Sequence, residues 1–215
     1  MVLKRKITKE EIQKMPITTF DGRIIVIQTE EEAIKAVTYL KTFPMLGIDS
    51  ETRPSFSKGQ THKVALLQIS TDNSCFLFRL NMIGLPPALI SLLEDNHIIK
   101  VGLSLHDDFM MLHKRASFNQ QNCIELQDLI PQLGIKELSL QKIYAILFGE
   151  KISKSQRLSN WEAEILSDKQ KIYAAIDAWA CIQVYRRLIL LKRTSNYDLE
   201  PELQEEQPLN QEKLS

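Results

Sequence analysis

The chain has 215 residues, 44% of them hydrophobic and 25% charged, with 27 Lys plus Arg against 27 Asp plus Glu. That length accommodates one domain of ordinary size plus short extensions, and the apolar share is enough for a sizeable core. A formal charge of zero excludes a polybasic, histone-like binder and confines any contact with a polyanion to a local patch.

In chain order, residues 4–14 are charged and read as a short helix or loose arm, which sets 1–21 apart as an N-terminal arm. The β-branched run Ile24, Ile25, Val26, Ile27 predicts a strand over 23–28. Thr29 is a candidate helix N-cap, followed by Glu30, Glu31 and Glu32 in the first turn. That helix runs to about Thr42 and stops ahead of Pro44. Strands are expected over 45–51, 63–70 and 74–78, the last two joined by the turn Thr71-Asp72-Asn73. A helix over 86–94 is entered through two prolines, a strand covers 98–101, and a helix covers 105–115. Residues 124–133 fit more than one pattern, and 138–148 are helical. A long helix then runs over 168–192 with Ser167 as its cap. Beyond Asn196 the chain turns acidic and Gln-rich, so 197–215 is expected to be a disordered tail. The pattern predicts an α/β domain over 22–196 with a mixed central β-sheet flanked by helices.

No run of 18 apolar residues is present, so no membrane partner is expected. Residues 1–8 are charged and carry no apolar signal core, which points to a cytoplasmic protein. The odd, widely spaced set Cys75, Cys123 and Cys181 gives neither a disulfide framework nor a zinc pattern. The seven glycines form no phosphate loop or dinucleotide fingerprint.

The informative residues are acids. In the strand over 45–51, Leu46 and Ile48 share one face and Asp49 and Glu51 share the other. Two adjacent carboxylates repel, so they are either solvated at an exposed strand end or neutralised by a cation. On the helix over 105–115, Asp108 falls on the apolar stripe Leu105, Asp108, Phe109, Leu112, whereas Asp107 falls off it. Asp177 interrupts an almost wholly apolar helical stretch and lies one turn after Tyr173. A carboxylate on such a face needs a partner, either a distant Arg, water or a metal. Asp49, Glu51, Asp108 and Asp177 together suit hard divalent ions, Mg²⁺ or Mn²⁺. Two such ions, about 4 Å apart, clamp a scissile phosphate and activate water.

The segments Gly-Ile-Asp49-Ser-Glu51, Lys63-Val-Ala-Leu-Leu-Gln-Ile69, Lys100-Val-Gly-Leu-Ser-Leu-His-Asp107-Asp108 and Tyr173-Ala-Ala-Ile-Asp177-Ala178 resemble the motifs of the DEDDy 3′–5′ exonucleases. Over about residues 22–192 the chain is similar to the RNase D-like group, and most of all to the Werner-syndrome-type exonuclease domain. The resemblance implies an RNase H-like fold and a two-metal-ion 3′–5′ exonuclease releasing nucleoside 5′-monophosphates. It implies that Asp49, Glu51 and Asp177 hold the nucleophile-side metal and that Asp49 bridges to a second ion supported by Asp108. Tyr173 then orients the attacking water. RNase D-type members carry Asp-Trp followed by Arg-Pro-Leu, where this chain has Asn160-Trp161 followed by Glu-Ala-Glu-Ile-Leu. That departure weakens transfer of a tRNA-processing role.

The expected substrate is single-stranded or 3′-recessed nucleic acid, DNA or RNA. The loop 52–62 carries Arg53, Lys58 and His62 with Phe56 interleaved, a pattern that fits either a strand guide or a solvated loop. Arg157 is the phosphate-contact candidate ahead of the last helix, because its planar fork matches phosphate oxygens. Trp161 serves either as packing or as a stacking platform. Leu103 and Met111 flank Asp108 and are either core or a wedge under the terminal base. Three rival readings remain open: a catalytically silent nucleic-acid-binding module of the same fold, an RNase H-like endonuclease, and a scaffold acting through its acidic tail.

Overall fold

The computed structural model describes residues 1–57, 59 and 61–201. It contains β1 (Val2–Leu3), α1 (Lys9–Gln13), β2 (Arg23–Ile27), α2 (Glu30–Leu40), β3 (Met45–Thr52), β4 (Val64–Ser70), β5 (Ser74–Phe78), α3 (Leu80–Ile83), α4 (Pro87–Leu93), β6 (Ile99–Gly102), α5 (Leu105–Leu112), β7 (Cys123–Glu125), α6 (Leu126–Leu129), a 3₁₀ turn (Ile130–Leu133), α7 (Leu140–Phe148), α8 (Asp168–Thr194) and β8 (Asp198–Leu199). Local chemistry explains several boundaries. Thr29 and Glu32 form a reciprocal capping box at α2, and Ser167 and Gln170 do the same at α8. Pro87 opens α4, where its missing N–H leaves no bond unmade.

Six strands form one mixed sheet in the order β2-β5-β4-β3-β6-β7. The β3, β4, β5 run is antiparallel, while β2 joins β5, β6 joins β3 and β7 joins β6 in parallel. The strand β4 is buried along its whole length, as its unbroken apolar run Val64 to Leu67 requires. Side-chain alternation along β3 sends Leu46 and Ile48 into a core shared with Val37, Leu40, Leu89 and Leu92 from α2 and α4. The opposite face of the sheet is covered by α8, and α7 packs behind it. Among the described residues, no helix is long and apolar enough to cross a membrane.

Three segments differ from expectation. The ambiguous stretch 124–133 divides into β7, α6 and the 3₁₀ turn, pieces too short to impose a period of their own. The N-terminal segment is not a separate arm: Leu3, Ile7 and Ile12 are buried against α7, α8 and the 3₁₀ turn. Nor does the chain loosen at residue 197. Asp198 and Leu199 pair in parallel with Val2 and Leu3, and Tyr197 and Leu199 pack on the same core. Two-residue strands joining segments this far apart in sequence carry no periodicity, which is why the pattern does not show them. The rest of the expected tail, 202–215, lies outside the described residues.

Candidate active site

Asp49 and Glu51 project from the face of β3 that meets α8. Their approach to Asp177 depends on small residues on both sides. Ala174, Ala175 and Ala178 of α8 are fully buried against the sheet. Opposite them stands Gly47, where an added Cβ would lie 2.0 Å from the carbonyl oxygen of Ala178. Only a glycine lets strand and helix come this close. As a result, carboxylate oxygens of Asp49, Glu51 and Asp177 all lie within 4.8 Å of one another.

Asp108 reaches the group from a different element. Its helix α5 begins after Ser104, which adopts left-handed backbone at φ 66° and gives no side-chain cap. Glu125 caps the helix instead, accepting from Ser104 N at 3.0 Å and Leu105 N at 2.6 Å. The hydroxyl of Ser50, between the two strand acids, donates to Asp108 Oδ1. Asp108 is half-buried and Asp107 is exposed.

Burial and mutual repulsion disfavour ionisation throughout the cluster. Burial raises Asp49 well above the ordinary carboxylate range, and Asp108, Asp177 and Glu51 push it further. Glu51 is pushed up to about 9 by burial and then by Asp177 and Asp108, with Arg157 opposing. Asp177 is raised to about 7 by burial, against a hydrogen bond from Tyr173 and the charge of Lys154. Burial also raises Asp108 to about 7, against the Ser50 hydroxyl. Burial and the neighbouring acids raise Tyr173 above the ordinary phenol range, so it stays protonated and acts as a donor.

Among the described residues, none of these four acids forms an ion pair with Lys, Arg or His. An oxygen-only donor set of this kind, crowded and without a fixed counter-charge, fits a hard divalent cation. The donor set gives no preference for softer, thiolate-binding metals, since Cys75 and Cys181 are separately buried thiols.

The remaining sequence-derived candidates divide. Arg53 is exposed and pairs with Glu162 at 3.2 Å, and Glu162 also meets His62 Nδ1 at 3.4 Å. Arg157 is exposed, and its charge acts on Glu51. Leu103 and Met111 are half-buried, but Leu103 packs with the core under α7 and α8 and Met111 with the core under α2 and α4. Lys58 lies outside the described residues. Trp161 is a correction: it is fully buried, so it offers no face to a base. Its ring packs 6.0 Å from that of Tyr173, among Leu166 and Ala174, and supports Tyr173 from behind.

Two neighbours of the site escaped the sequence reading. Gln68, cross-strand partner of Asp49, donates to Asp49 Oδ2 at 3.2 Å. The available signal was a polar residue inside an otherwise apolar strand. Arg79 is buried and its guanidinium donates to the carbonyls of Ala163 and Glu164, fixing the approach to α8.

An acid cluster between the central strand of a mixed sheet and a long covering helix defines a nuclease-type site on an RNase H-like fold. Comparison with known proteins agrees. The profile of the 3′–5′ exonuclease family matches residues 24–191. A 3′–5′ exonuclease of Arabidopsis thaliana is 33% identical over 192 residues, covering 82% of this chain and 67% of that protein. The bifunctional 3′–5′ exonuclease/ATP-dependent helicase WRN of Mus musculus is 30% identical over 79% of this chain, which spans 12% of that protein. Among solved structures, the Nibbler EXO domain of Aedes aegypti superposes with a TM-score of 0.76 at 21% identity, covering 84% of this chain and 95% of that one. Escherichia coli RNase D superposes with a TM-score of 0.72 at 20% identity, covering 80% and 46%. The chain belongs to the 3′–5′ exonuclease family.

Proposed function

We propose that this chain removes nucleotides one at a time from a free 3′ end of DNA or RNA and releases nucleoside 5′-monophosphates. The observation that carries the reading is the meeting of Asp49, Glu51 and Asp177 oxygens within 4.8 Å. In this reading Asp49, Glu51 and Asp177 hold one divalent cation, Mg²⁺ or Mn²⁺, and Asp49 and Asp108 hold a second. Such ions, when bound, polarise the scissile phosphate and acidify a water.

The side chains have separate tasks. Tyr173 keeps its proton and, beside Asp177, orients the attacking water by a hydrogen bond. The water oxygen forms the new bond to phosphorus as the P–O3′ bond breaks, and the shortened strand regains a 3′-hydroxyl. Arg157, exposed and with its charge acting on Glu51, would meet the phosphate. Arg53 would exchange Glu162 for a strand phosphate, and Leu103 and Met111 would border the terminal base. Residues 22–196 form the catalytic unit, with 1–21 bracing it.

The test is a linear strand carrying a 5′ label, compared with a circular strand of the same sequence, both with Mn²⁺. The linear strand should shorten in single-nucleotide steps while the circle stays intact. Cleavage of the circle would make the protein an endonuclease. Binding of both without cleavage would make it a silent binding module.

A further inference from the structure

Charge is balanced over the whole chain, yet one group of cations gathers beside the acid cluster. The loop between α7 and α8 carries Lys154 and Arg157, both exposed. The charge of Arg157 acts on Glu51 and that of Lys154 on Asp177. Lys154 also feels the positive charges of Arg157, of Lys142 on α7 and of Lys9 at the start of α1. Gln141 Nε2 at the start of α7 donates to Ile152 O at 2.7 Å and Lys151 Nζ donates to Gln13 O at the end of α1, so the three elements that carry these four cations lie side by side. Among the described residues, Lys9, Lys154 and Arg157 form no ion pair.

Beyond Lys142 lies a cleft of about 720 Å³, with Lys4, Arg5 and Lys6 among its lining residues. Its acids are partly occupied. Glu137 accepts from Lys142 at 2.8 Å and from Ile7 N at 3.0 Å, and Glu11 pairs with Lys4. The N-terminal segment that supplies Lys6 and Lys9 is fixed to the domain. Lys136 N donates to Arg5 O at 2.7 Å and Thr8 N to Glu11 Oε2 at 2.9 Å, so the backbone beside Lys6 and Lys9 is fixed. Like charges brought together repel, and a polyanion laid along them relieves that repulsion.

We propose that Lys154, Lys142 and Lys9, continued by Lys6 at the cleft, form a phosphate-binding track that leads the strand from the carboxylate site across α7 to the N-terminal helix. The ligand is the backbone of single-stranded nucleic acid, and the track reads charge, not bases. The inference deepens the exonuclease reading and rests on it for the direction of the strand. It gives residues 1–21 a role in substrate binding as well as in bracing.

The experiment measures binding of fluorescent single strands to the full chain in chelator, so that no hydrolysis is needed. A dinucleotide and a strand of about twelve nucleotides are compared over a range of salt. Wild type should bind the longer strand more tightly. Lys9→Glu should weaken that binding about five-fold or more and flatten the salt slope by about 0.7 or more, with a smaller effect on the dinucleotide. Lys9→Gln should give an intermediate loss, which separates charge from any fault in folding. Lys35→Glu, on α2, alters net charge equally and should leave binding unchanged. Unaltered affinity in Lys9→Glu, or an equal loss in Lys35→Glu, would overturn the track. Length-dependent binding by a protein that never cuts would support the track while overturning the exonuclease reading.

Discussion

Replacing the Asp49 carboxylate by an amide separates repulsion from function. Asp49 is pressed upon by Asp108, Asp177 and Glu51, so Asp49→Asn relieves the cation-free fold of a like-charge contact. The variant should melt at the same or a higher temperature in chelator, while hydrolysis falls by about a hundred-fold or more. Turnover above about a tenth of normal would contradict a ligand role for Asp49. Tyr173→Phe should slow hydrolysis yet keep Mn²⁺ affinity, because the lost hydroxyl orients the water and is not itself a metal ligand. Loss of Mn²⁺ binding in a calorimetric titration would show that its role is misassigned. The same side chains set a pH dependence. Folding lifts Glu51 from 4.5 to about 9, and Asp108 and Asp177 from 3.8 to about 7. Below about pH 4 both folded and unfolded chains hold these protons, and the contribution to stability is complete. Between there and about pH 9 the folded chain binds more protons than the unfolded one, so stability falls as pH rises. The melting temperature in chelator should therefore decline from pH 5 to pH 9, and Mg²⁺ should restore more of it at pH 8 than at pH 5. A rise across that window would contradict the burial of these acids.

At the scale of elements, the site depends on how closely β3 meets α8. Gly47→Ala would drive a methyl group against the Ala178 carbonyl and separate Asp49 from Asp177. The expected cost is about 1–3 kcal/mol of stability by chemical denaturation, with a larger proportional loss of hydrolysis. An unchanged rate would mean that the contact does not set the carboxylate spacing. Elements carrying their own punctuation were legible in the sequence. The Thr29 and Ser167 caps, the turn at 71–73 and the Asp49/Glu51 alternation all rest on residues near in sequence. What was hidden depends on register between distant segments. Gln68 meets Asp49 only because β4 pairs with β3 at that offset, and Glu125 caps α5 only because β7 lies beside β6. Trp161 shows the same limit: its burial follows from the way the loop before α8 folds beneath Tyr173, which no local pattern records.

Across the whole molecule, residues 1–3 close on residues 198–200. Asp198 N donates to Met1 O and Glu200 N to Leu3 O, each at 2.9 Å, and the N-terminal segment buries three apolar side chains on the α7–α8 core. Removing residues 197–215 should thus lower the melting temperature while leaving most of the hydrolytic rate, since the clasp contributes no carboxylate to the site. Total loss of hydrolysis by a truncated protein that remains folded would place function in the chain's end. The distribution of charge also belongs to this scale, because acids collect at the sheet–helix junction and cations beside it in a chain whose sum is zero. The most direct trial of that arrangement is a calorimetric titration of Mn²⁺ at pH 7, repeated in buffers of different ionisation enthalpy to count protons. Hard-ion binding by raised carboxylates predicts a saturable isotherm with proton release, abolished in Asp49→Asn. An isotherm without heat or proton release in wild type, or one unchanged by the substitution, would contradict it.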